Sequence, residues 1–407
     1  MYRSHTIVIV LMVLVFIVSC RHNPIHERND ITMKLFEKHP VRFLPDEYKD
    51  TAKEENGFII AANGRLVLKR IHLPDSDGYA SELSITLRSM GDPWDKAGSC
   101  FIFSADNKQL LDALINTVPF TKEDAVIPML PGIVATGDYT PAVELMRFMT
   151  PFGVGAFSDA EKNPPPAFID SWANYVIWSS DVTELVQSLP QDVYIGIWID
   201  TWTKTGYSVD ASLLMKPDNR KVINSPKKCM PLINTVFYSQ AQGYPDIFSR
   251  QSVSIAITIP ADVSNAVLYY TTTGHGGHEG GDEFVQKKNS IALDGKEVFS
   301  FTPWRTDCST FRRFNPSSGV WLVKQKMRYF DDQSGKSITG EVNVPLASSD
   351  LSRSNWCPGS SVDPMVITLG ALKKGQHIIT ISIPESQNID GDKMNFWLVS
   401  AYIVTEK

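Results

Sequence analysis

Apolar residues alternate with polar or small ones in several separate stretches of the chain, and this pattern constrains the fold more than any other feature of the sequence. A period of two is typical of β-strands with one buried face. Some stretches end at a proline, as at Pro260 and Pro384, which favours antiparallel sandwiches over strands joined by helices. We therefore predict an all-β fold. The alternating residues are Leu66 and Leu68; Leu83, Ile85 and Leu87; Val193, Ile195, Ile197 and Ile199; Val253, Ile255, Ile257 and Ile259; and Ile379, Ile381 and Ile383.

Helical periodicity is confined to short segments. Residues 110–115, 142–149 and 182–189 carry it, and the last segment follows Ser180 and Asp181. The side chains of Ser and Asp can accept hydrogen bonds from the first amides of a helix. We predict a short helix in each segment.

A polar stretch divides the pattern near the middle of the chain, and we place a domain linker there, at 218–228. It would join an N-terminal domain at 56–217 to a C-terminal domain at 229–407. Residues 21–55 are polar with little periodicity, so we predict a tether followed by an irregular first strand.

The first twenty residues form a separate unit. Twelve apolar residues at 7–18 precede Cys20, which is too short a run for a bilayer span of about 20 residues and is typical of a secretory signal. A Cys after Ile-Val-Ser resembles a bacterial lipoprotein signal. We predict that 1–20 is such a signal, that Cys20 is lipidated, and that the chain is held in the cell envelope, at the outer membrane, facing the periplasm or the surface. Cleavage without lipid is the alternative.

The charge balance argues against a nucleic-acid partner. Lys and Arg number 39 against 45 Asp and Glu, for a net charge of −6, and no basic run is interleaved with aromatic residues. No phosphate loop, dinucleotide fingerprint or Gly-x-Ser-x-Gly elbow lies at a strand-helix junction. We expect a monomer that does not bind nucleic acid.

Carboxylates directly follow two of the predicted strands. Asp92 and Asp95 lie in a turn that contains a proline, so both side chains are expected to leave the sheet edge toward solvent or a cleft. Asp200 ends a strand and precedes Trp202. A plain solvated turn and an exposed strand-end Asp are the simpler interpretations.

A glycine-rich segment, 271–284, contains His275 and His278. Its five glycines raise the entropy cost of ordering the chain, so we predict a backbone that turns sharply or lies close to a ligand. Two His three residues apart can ligate a metal, but no third ligand accompanies them at a fixed spacing. Hydrogen-bonding loop residues and sugar contacts are the other interpretations, and we predict no metal.

A later cluster combines Arg, Trp and Cys. Cys308 is followed by Arg312 and Arg313, and Arg353 by Trp356 and Cys357. Trp rings stack on sugar C–H surfaces and Arg donates hydrogen bonds that are always charged, which suits a neutral carbohydrate. A cation-π patch on the surface is equally compatible with this pattern.

Several short motifs follow one another along the chain. They are Trp94-Asp95, Arg147-Phe148-Met149-Thr150-Pro151-Phe152, Asp181-Val182-Thr183, Asp200-Thr201-Trp202, Tyr207-Ser208-Val209-Asp210, Asp282-Glu283-Phe284, Arg353-Ser354-Asn355-Trp356-Cys357-Pro358-Gly359 and Ser400-Ala401-Tyr402. In this order they resemble the bacterial peptide-N4-(N-acetyl-β-glucosaminyl)asparagine amidases of the peptide:N-glycosidase F type. The resemblance implies two side-by-side eight-stranded antiparallel jelly-roll β-sandwiches, a glycopeptide in the cleft between them, and no cofactor.

The resemblance also implies an activity and a set of site residues. The activity is hydrolysis of the amide bond between Asn and the innermost N-acetylglucosamine of N-glycosylated peptides and glycoproteins, which releases the intact glycan and leaves Asp. The catalytic carboxylates would be Asp95, Glu283 and Asp200, and their convergence would make one of them titrate anomalously through like-charge repulsion. The substrate-binding residues would be Arg353, Trp202, Trp94, His275, His278 and Trp356.

The chain departs from the type member of that family in three places. Asp200 stands where the type member has Glu, the cysteines that brace the catalytic Asp and the Glu283 loop in the type member are absent, and 103–143 carries an insertion. Of the bridges in the type member, the resemblance retains Cys308 to Cys357, and we expect Cys100 and Cys229 to stay unpaired. These differences bear on glycan specificity, including tolerance of core fucose, more than on the reaction.

Other functions use the same residue types. A lipid-anchored glycan-binding protein would use the Trp and Arg residues without needing Asp95. An endo-acting glycosidase would need two carboxylates about 5 to 9.5 Å apart. A copper oxygenase on a jelly roll would need more His ligands than His275 and His278.

Overall fold

The computed structural model describes residues 28–48, 52–115, 133–136, 140–222, 227–236 and 247–406. The predicted signal with Cys20, and much of the predicted insertion, lie outside these residues. Within them, no helix is long and apolar enough to cross a bilayer.

The described residues are mostly β-structure with a few short helices. The strands are β1 (Ile31–Val41), β2 (Lys53–Glu55), β3 (Phe58–Ala61), β4 (Leu66–His72), β5 (Tyr79–Ser89), β6 (Ala97–Ser104), β7 (Val143–Met149), β8 (Val176–Asp181), β9 (Asp192–Ile199), β10 (Tyr207–Pro217), β11 (Lys227–Asn234), β12 (Val253–Ile259), β13 (Val263–His275), β14 (Asn289–Leu293), β15 (Lys296–Phe301), β16 (Val320–Asp331), β17 (Lys336–Ala347), β18 (Ser361–Val362), β19 (Met365–Leu372), β20 (Gly375–Ser382) and β21 (Phe396–Glu406). The α-helices are α1 (Pro45–Tyr48), α2 (Lys108–Ile115), α3 (Thr183–Val186) and α4 (Ile247–Arg250), and the 3-10 helices are Ala62–Gly64, Asn219–Lys221, Cys308–Phe314 and Ser348–Asp350.

The strands form two antiparallel sandwiches, which confirms the all-β prediction. In the N-terminal sandwich a four-stranded sheet of order β1-β10-β5-β8 faces a seven-stranded sheet of order β18-β7-β6-β9-β4-β3-β2. The C-terminal sandwich pairs the four-stranded sheets β11-β21-β13-β19 and β12-β20-β14-β15. The hairpin of β16 and β17 forms a separate two-stranded sheet.

The alternating stretches are strands, as predicted, and their apolar residues form the cores. Leu83, Ile85 and Leu87 of β5 are buried in the N-terminal core, whereas Ile379 and Ile381 of β20 are buried in the C-terminal core. Each run keeps its apolar side chains on one face because successive residues of a strand point to opposite faces.

The two sandwiches pack side by side through strands that are buried on both faces. Every residue of β7 is buried, and all of β21 except Glu406 is buried. A third apolar cluster joins residues of the seven-stranded sheet, such as Trp198, to Trp356 and Leu398 of the C-terminal half. Because β18 pairs with β7, the C-terminal half also adds a strand to the N-terminal sheet.

The predicted helices have mixed outcomes. The segment 110–115 lies in α2, whereas 182–189 contains only the single turn of α3, where Asp181 Oδ1 accepts a hydrogen bond from the Thr183 amide at 2.9 Å. The helix predicted at 142–149 is wrong, because this segment is β7.

A β-bulge explains the error in β7. Arg147 pairs with Ser99 and Met146 with Cys100, but Glu144 pairs with Phe101, so Leu145 is an extra residue in this strand. An extra residue brings side chains three apart onto the same face, which imitates the spacing of a helix.

The bulge creates a buried ion pair between the sandwiches. Arg147 Nη2 lies 2.8 Å from Glu144 Oε2, and both side chains are almost fully buried. Arg147 Nη1 also donates to the Leu398 carbonyl at 2.5 Å, and the Ser400 hydroxyl of the same strand donates to Glu144. The N-terminal pair is therefore hydrogen-bonded directly to β21 of the C-terminal sandwich.

We predict that Arg147→Met lowers the free energy of unfolding by about 3 to 5 kcal/mol, because Glu144 is then buried without a cation. The double variant Glu144→Gln/Arg147→Met should lose less free energy of unfolding than Arg147→Met alone. Urea unfolding followed by Trp fluorescence measures this free energy for both variants. Lys162→Met is the control, since Lys162 pairs with Asp159 at the same spacing but is exposed. An Arg147 variant as stable as this control would contradict the prediction.

Candidate functional site

The site is organised around the buried guanidinium of Arg353. Its Nε donates to Glu283 Oε1 at 2.8 Å, and its Nη2 lies 3.8 Å from Asp95 Oδ2. The planar group lies between two rings, 4.9 Å from the Trp356 centroid and 5.3 Å from that of Phe284. One cation from the C-terminal sandwich therefore bridges a carboxylate of its own sandwich and one of the N-terminal sandwich.

The backbone on both sides of Arg353 is fixed. Arg353 and Arg305 exchange two backbone hydrogen bonds, of 2.8 and 3.1 Å. Cys308 and Cys357 form a disulfide, as predicted, and Cys100 and Cys229 are unpaired, also as predicted. The bridge ties the segment that contains Arg353 to the 3-10 helix Cys308–Phe314.

Asp92 and Asp95 lie in the same turn but in different environments. Asp92 is fully buried and accepts hydrogen bonds from the hydroxyls of Thr201, at 2.6 Å, and Thr203, at 3.2 Å. The prediction that both carboxylates point outward is therefore wrong for Asp92, because Thr hydroxyls from a distant loop satisfy it. Asp95, whose side chain is 18% exposed, faces Arg353.

Glu283 is placed in a similar way by its neighbour Asp282. Asp282 is fully buried and accepts hydrogen bonds from Trp397 Nε1 at 2.9 Å and from the Gln387 amide at 3.0 Å. The glycine-rich backbone before it folds back on itself, since a Cβ on Gly281 would lie 2.2 Å from the carbonyl oxygen of Gly276. This confirms the predicted sharp turn.

The two His of this segment lie apart. His275 is buried between the rings of Trp356 and Phe396, with centroids 5.3 and 4.9 Å away, and burial lowers its pKa to about 3. His278 instead contacts Asn395 Oδ1 at 3.2 Å. Among the described residues no group of His, Cys, Asp and Glu could hold a metal ion.

A pocket of ≈ 140 Å³ opens between the two sandwiches at this point. Asp95, Glu283, Trp356 and His275 line it together. A larger pocket of ≈ 470 Å³ contains none of the predicted site residues. Four of the predicted site residues thus converge on the smaller pocket. The others do not line it, namely Arg353, Asp200, Trp94, Trp202 and His278.

Asp200 is linked to the site by its contacts with Arg65 and Trp202. It is fully buried, lies 3.1 Å from Arg65 Nη1, and accepts a hydrogen bond from Trp202 Nε1 at 3.1 Å. The Arg65 guanidinium stacks 4.5 Å from the Trp202 ring, whose residue is 49% exposed. The interpretation of Asp200 as an exposed residue at a strand end is therefore wrong. Asp200 is buried and holds the exposed Trp202 in place.

Burial governs the electrostatics of the carboxylates. It raises the pKa of Glu283 to about 7, with the nearby charge of Asp95 adding to the rise and Arg353 opposing it. Burial likewise raises the pKa of Asp95 and that of Asp200, the latter to about 6. Like-charge repulsion, the expected cause, is secondary to the loss of solvent.

Sequence reasoning missed several residues that complete the site. Phe284 supports Arg353, Arg65 pairs with Asp200, and Lys96 acts electrostatically on both Asp95 and Asp200. Lys96 follows Asp95 and Phe284 follows Glu283 in the sequence, so their positions next to predicted residues could have identified them. Arg65 lies far from Asp200 in the sequence, and no local pattern connects them.

Two family profiles match the chain. One, described as peptide-N-glycosidase F, N terminal, matches residues 32–215, and the other, peptide-N-glycosidase F, C terminal, matches residues 243–404. The chain belongs to the peptide-N-glycosidase F family. A search among curated proteins found no match.

Solved structures agree with this family. The structure of PNGF-II in space group C2 is 34% identical over 93% of this chain, with a TM-score of 0.77, and the chain spans 65% of the length of PNGF-II. PNGase F, described as a glycosylasparaginase from Flavobacterium meningosepticum, is 16% identical over 93% of this chain and 96% of its own, with a TM-score of 0.53. The second likeness concerns the fold, which is the two-domain fold of the peptide-N-glycosidase F family.

We predict that Glu283→Gln flattens the dependence of stability on pH. The pKa of Glu283 is about 7 in the folded chain against a reference value of 4.5, so between these values the folded state binds more protons and the wild type loses stability as pH rises. The free energy of unfolding, measured from pH 4.5 to 8, should fall less steeply in the variant. Glu341→Gln, at an exposed position of β17, is the control, and equal slopes for the two variants would refute the assignment.

We predict that Cys308→Ala/Cys357→Ala lowers stability by about 4 kcal/mol, the chain-entropy value for a loop of this size. The two residues are 49 apart in sequence. A reductant should lower the Tm of the wild type and leave that of the variant unchanged. A wild-type Tm that does not respond to complete reduction would show that the bridge contributes little.

Proposed function

We propose that this chain is a peptide-N4-(N-acetyl-β-glucosaminyl)asparagine amidase, which releases intact N-glycans from glycopeptides and glycoproteins and converts Asn to Asp. The observation that carries the proposal is the position of Arg353 between Asp95 and Glu283, two carboxylates that line a pocket shared by the two sandwiches. Membership of the peptide-N-glycosidase F family supports it.

Asp95 is the base in this proposal. It is the partly exposed carboxylate of the pair, and its raised pKa makes it a stronger proton acceptor than an ordinary Asp. It takes a proton from the water that attacks the amide carbonyl, and the proton passes to the leaving nitrogen. The products are an Asp side chain and a 1-amino sugar, which water then converts to the free sugar and ammonia.

Arg353 stabilises the oxyanion that forms on the carbonyl. Its Nε donates a hydrogen bond to Glu283, and its Nη1 donates one to the Leu351 carbonyl at 2.9 Å. Its Nη2 makes only long contacts among the described residues, 3.5 Å to Ser348 Oγ and 3.8 Å to Asp95 Oδ2. This nitrogen is therefore the donor available to a substrate, and it is already fixed in place.

Glu283 and the Trp residues position the first sugar. Glu283 lines the pocket and can hydrogen-bond a sugar hydroxyl or amide. Trp94 and Trp202 are 58% and 49% exposed and offer ring faces for stacking, while Trp356 forms part of the pocket wall. Asp200 acts indirectly, by holding Trp202 through Nε1.

We further propose that Cys20 carries a lipid that holds the enzyme in the bacterial cell envelope as a monomer. The support is the order of a short apolar run, Ile-Val-Ser and Cys20 in the sequence. Mass spectrometry of the mature N-terminus tests the lipid.

Product analysis separates the amidase from the alternatives. After incubation with one N-glycopeptide, an Asp-containing peptide with the intact glycan released supports the amidase. A peptide that retains one N-acetylglucosamine on Asn supports an endo-acting glycosidase. An unchanged glycopeptide that stays bound supports a glycan-binding protein.

We predict that Asp95→Asn lowers kcat for glycan release by about 10² to 10⁴-fold, the usual loss when a general base is removed. An amide cannot accept the proton of the attacking water, while the fold should be retained because Asp95 is at the surface of the pocket. Release from a denatured glycoprotein measures kcat, and Asp46→Asn, at a highly exposed position, is the control. Turnover at the wild-type rate by the Asp95 variant would refute its role as the base.

A further inference from the structure

The β16–β17 hairpin stands apart from both sandwiches. Its strands pair along their whole length, from Val320 with Ala347 to Asp331 with Lys336, and in the described sheets they pair with no other strand. An isolated two-stranded ribbon is marginally stable in water, and both of its outer edges have unpaired backbone groups.

One face of this hairpin is mostly apolar. Residues directly opposite each other in an antiparallel pair share a face, and apart from Gln325, Gly340 and the pair of Asp331 and Lys336 nearest the tip, one face carries only large apolar or aromatic side chains. Met327 and Ile338 on it are 44% and 38% exposed, and its other apolar members are half-buried. We call this face the hairpin stripe, which consists of Trp321, Val323, Met327, Tyr329, Ile338, Val342, Val344 and Leu346.

The base of the hairpin stripe contacts residues that hold Arg353 and Asp95 in place. The Trp321 ring lies 5.0 Å from that of Phe284, which supports Arg353. Just before β16, Ser317 Oγ donates to the Pro93 carbonyl at 2.7 Å, in the turn that presents Asp95. The hairpin is therefore joined at its base to the groups that would perform the reaction.

We propose that the hairpin stripe binds the polypeptide part of the substrate, as an unfolded segment whose apolar side chains flank the glycosylated Asn. The proposal rests on the amidase function proposed above. A chain that leaves the pocket in an extended conformation can lie along the stripe from Trp321 outward, because Trp321 contacts Phe284, the residue after Glu283 of the pocket wall.

The charge distribution favours a polypeptide over a lipid surface. The tip between the strands is acidic, with Asp331 and Asp332 before Gln333, Ser334 and Gly335, so the end that would reach an anionic bilayer first carries negative charge beside the exposed Phe330. The apolar side chains of the stripe instead continue away from the tip, to Trp321 and Leu346 near the base.

Kinetics with two substrates tests the proposal. Met327→Thr/Ile338→Thr keeps side chains suited to a strand and should raise KM for a long unfolded glycoprotein about five- to tenfold, the effect expected from losing two apolar contacts. The KM for a glycopeptide of a few residues and both kcat values should not change. The matched control is Val298→Thr/Ile378→Thr, at exposed apolar positions on β15 and β20 of the same sandwich.

A binding measurement keeps this test separate from the amidase function. The Asp95→Asn chain should bind a glycan-free unfolded polypeptide, and adding the hairpin substitutions should weaken this binding by a similar factor. Equal KM changes for both substrates, no change for either, or the same change in the control would overturn the proposal. So would hairpin substitutions that spare polypeptide binding but abolish binding to anionic vesicles or self-association measured by light scattering.

Discussion

The fixed contact between the two sandwiches is the constraint on which the rest of the structure depends. Asp95 belongs to the N-terminal sandwich and Arg353 to the C-terminal one, so their approach of 3.8 Å exists only while the sandwiches keep one relative position. Apolar packing alone is poorly directional. The buried pair of Glu144 and Arg147 supplies direction, because its hydrogen bonds reach particular groups on β21.

The burial of Arg353 then determines the chemistry of the pocket. A buried cation is stable only with charged or hydrogen-bonded partners, and Glu283 and Asp95 fill that requirement from different sandwiches. The same burial raises the pKa of both carboxylates. Rings lie next to the guanidinium: Trp356, which lines the pocket, and Phe284, which contacts Trp321 of the hairpin. The pocket and the hairpin therefore both contact the residues that surround Arg353.

The sequence predicted the strands well, because alternation is a local property that burial on one face imposes. It failed at β7, where a bulge placed Glu144 and Arg147 on the same face, and a bulge depends on pairing with a strand elsewhere in the chain. The resemblance placed Asp95, Glu283 and Arg353 together, whereas alternation and spacing alone left each in a separate loop. Arg65 was missed for the same reason, since its partner Asp200 is distant in sequence.

Two pairs of acids close in sequence occupy different environments in this site. Local sequence patterns cannot predict which acid of a pair lines the pocket. Asp92 precedes Asp95 and Asp282 precedes Glu283, and in each case the first acid is fully buried and the second lines the pocket. The buried acid accepts hydrogen bonds from distant residues, Thr201 for Asp92 and Trp397 for Asp282. Such bonds fix the loop, and a fixed loop lets the second acid keep a raised pKa without collapsing onto other donors. Which acid lines the pocket is thus decided by donors that only the fold brings into place.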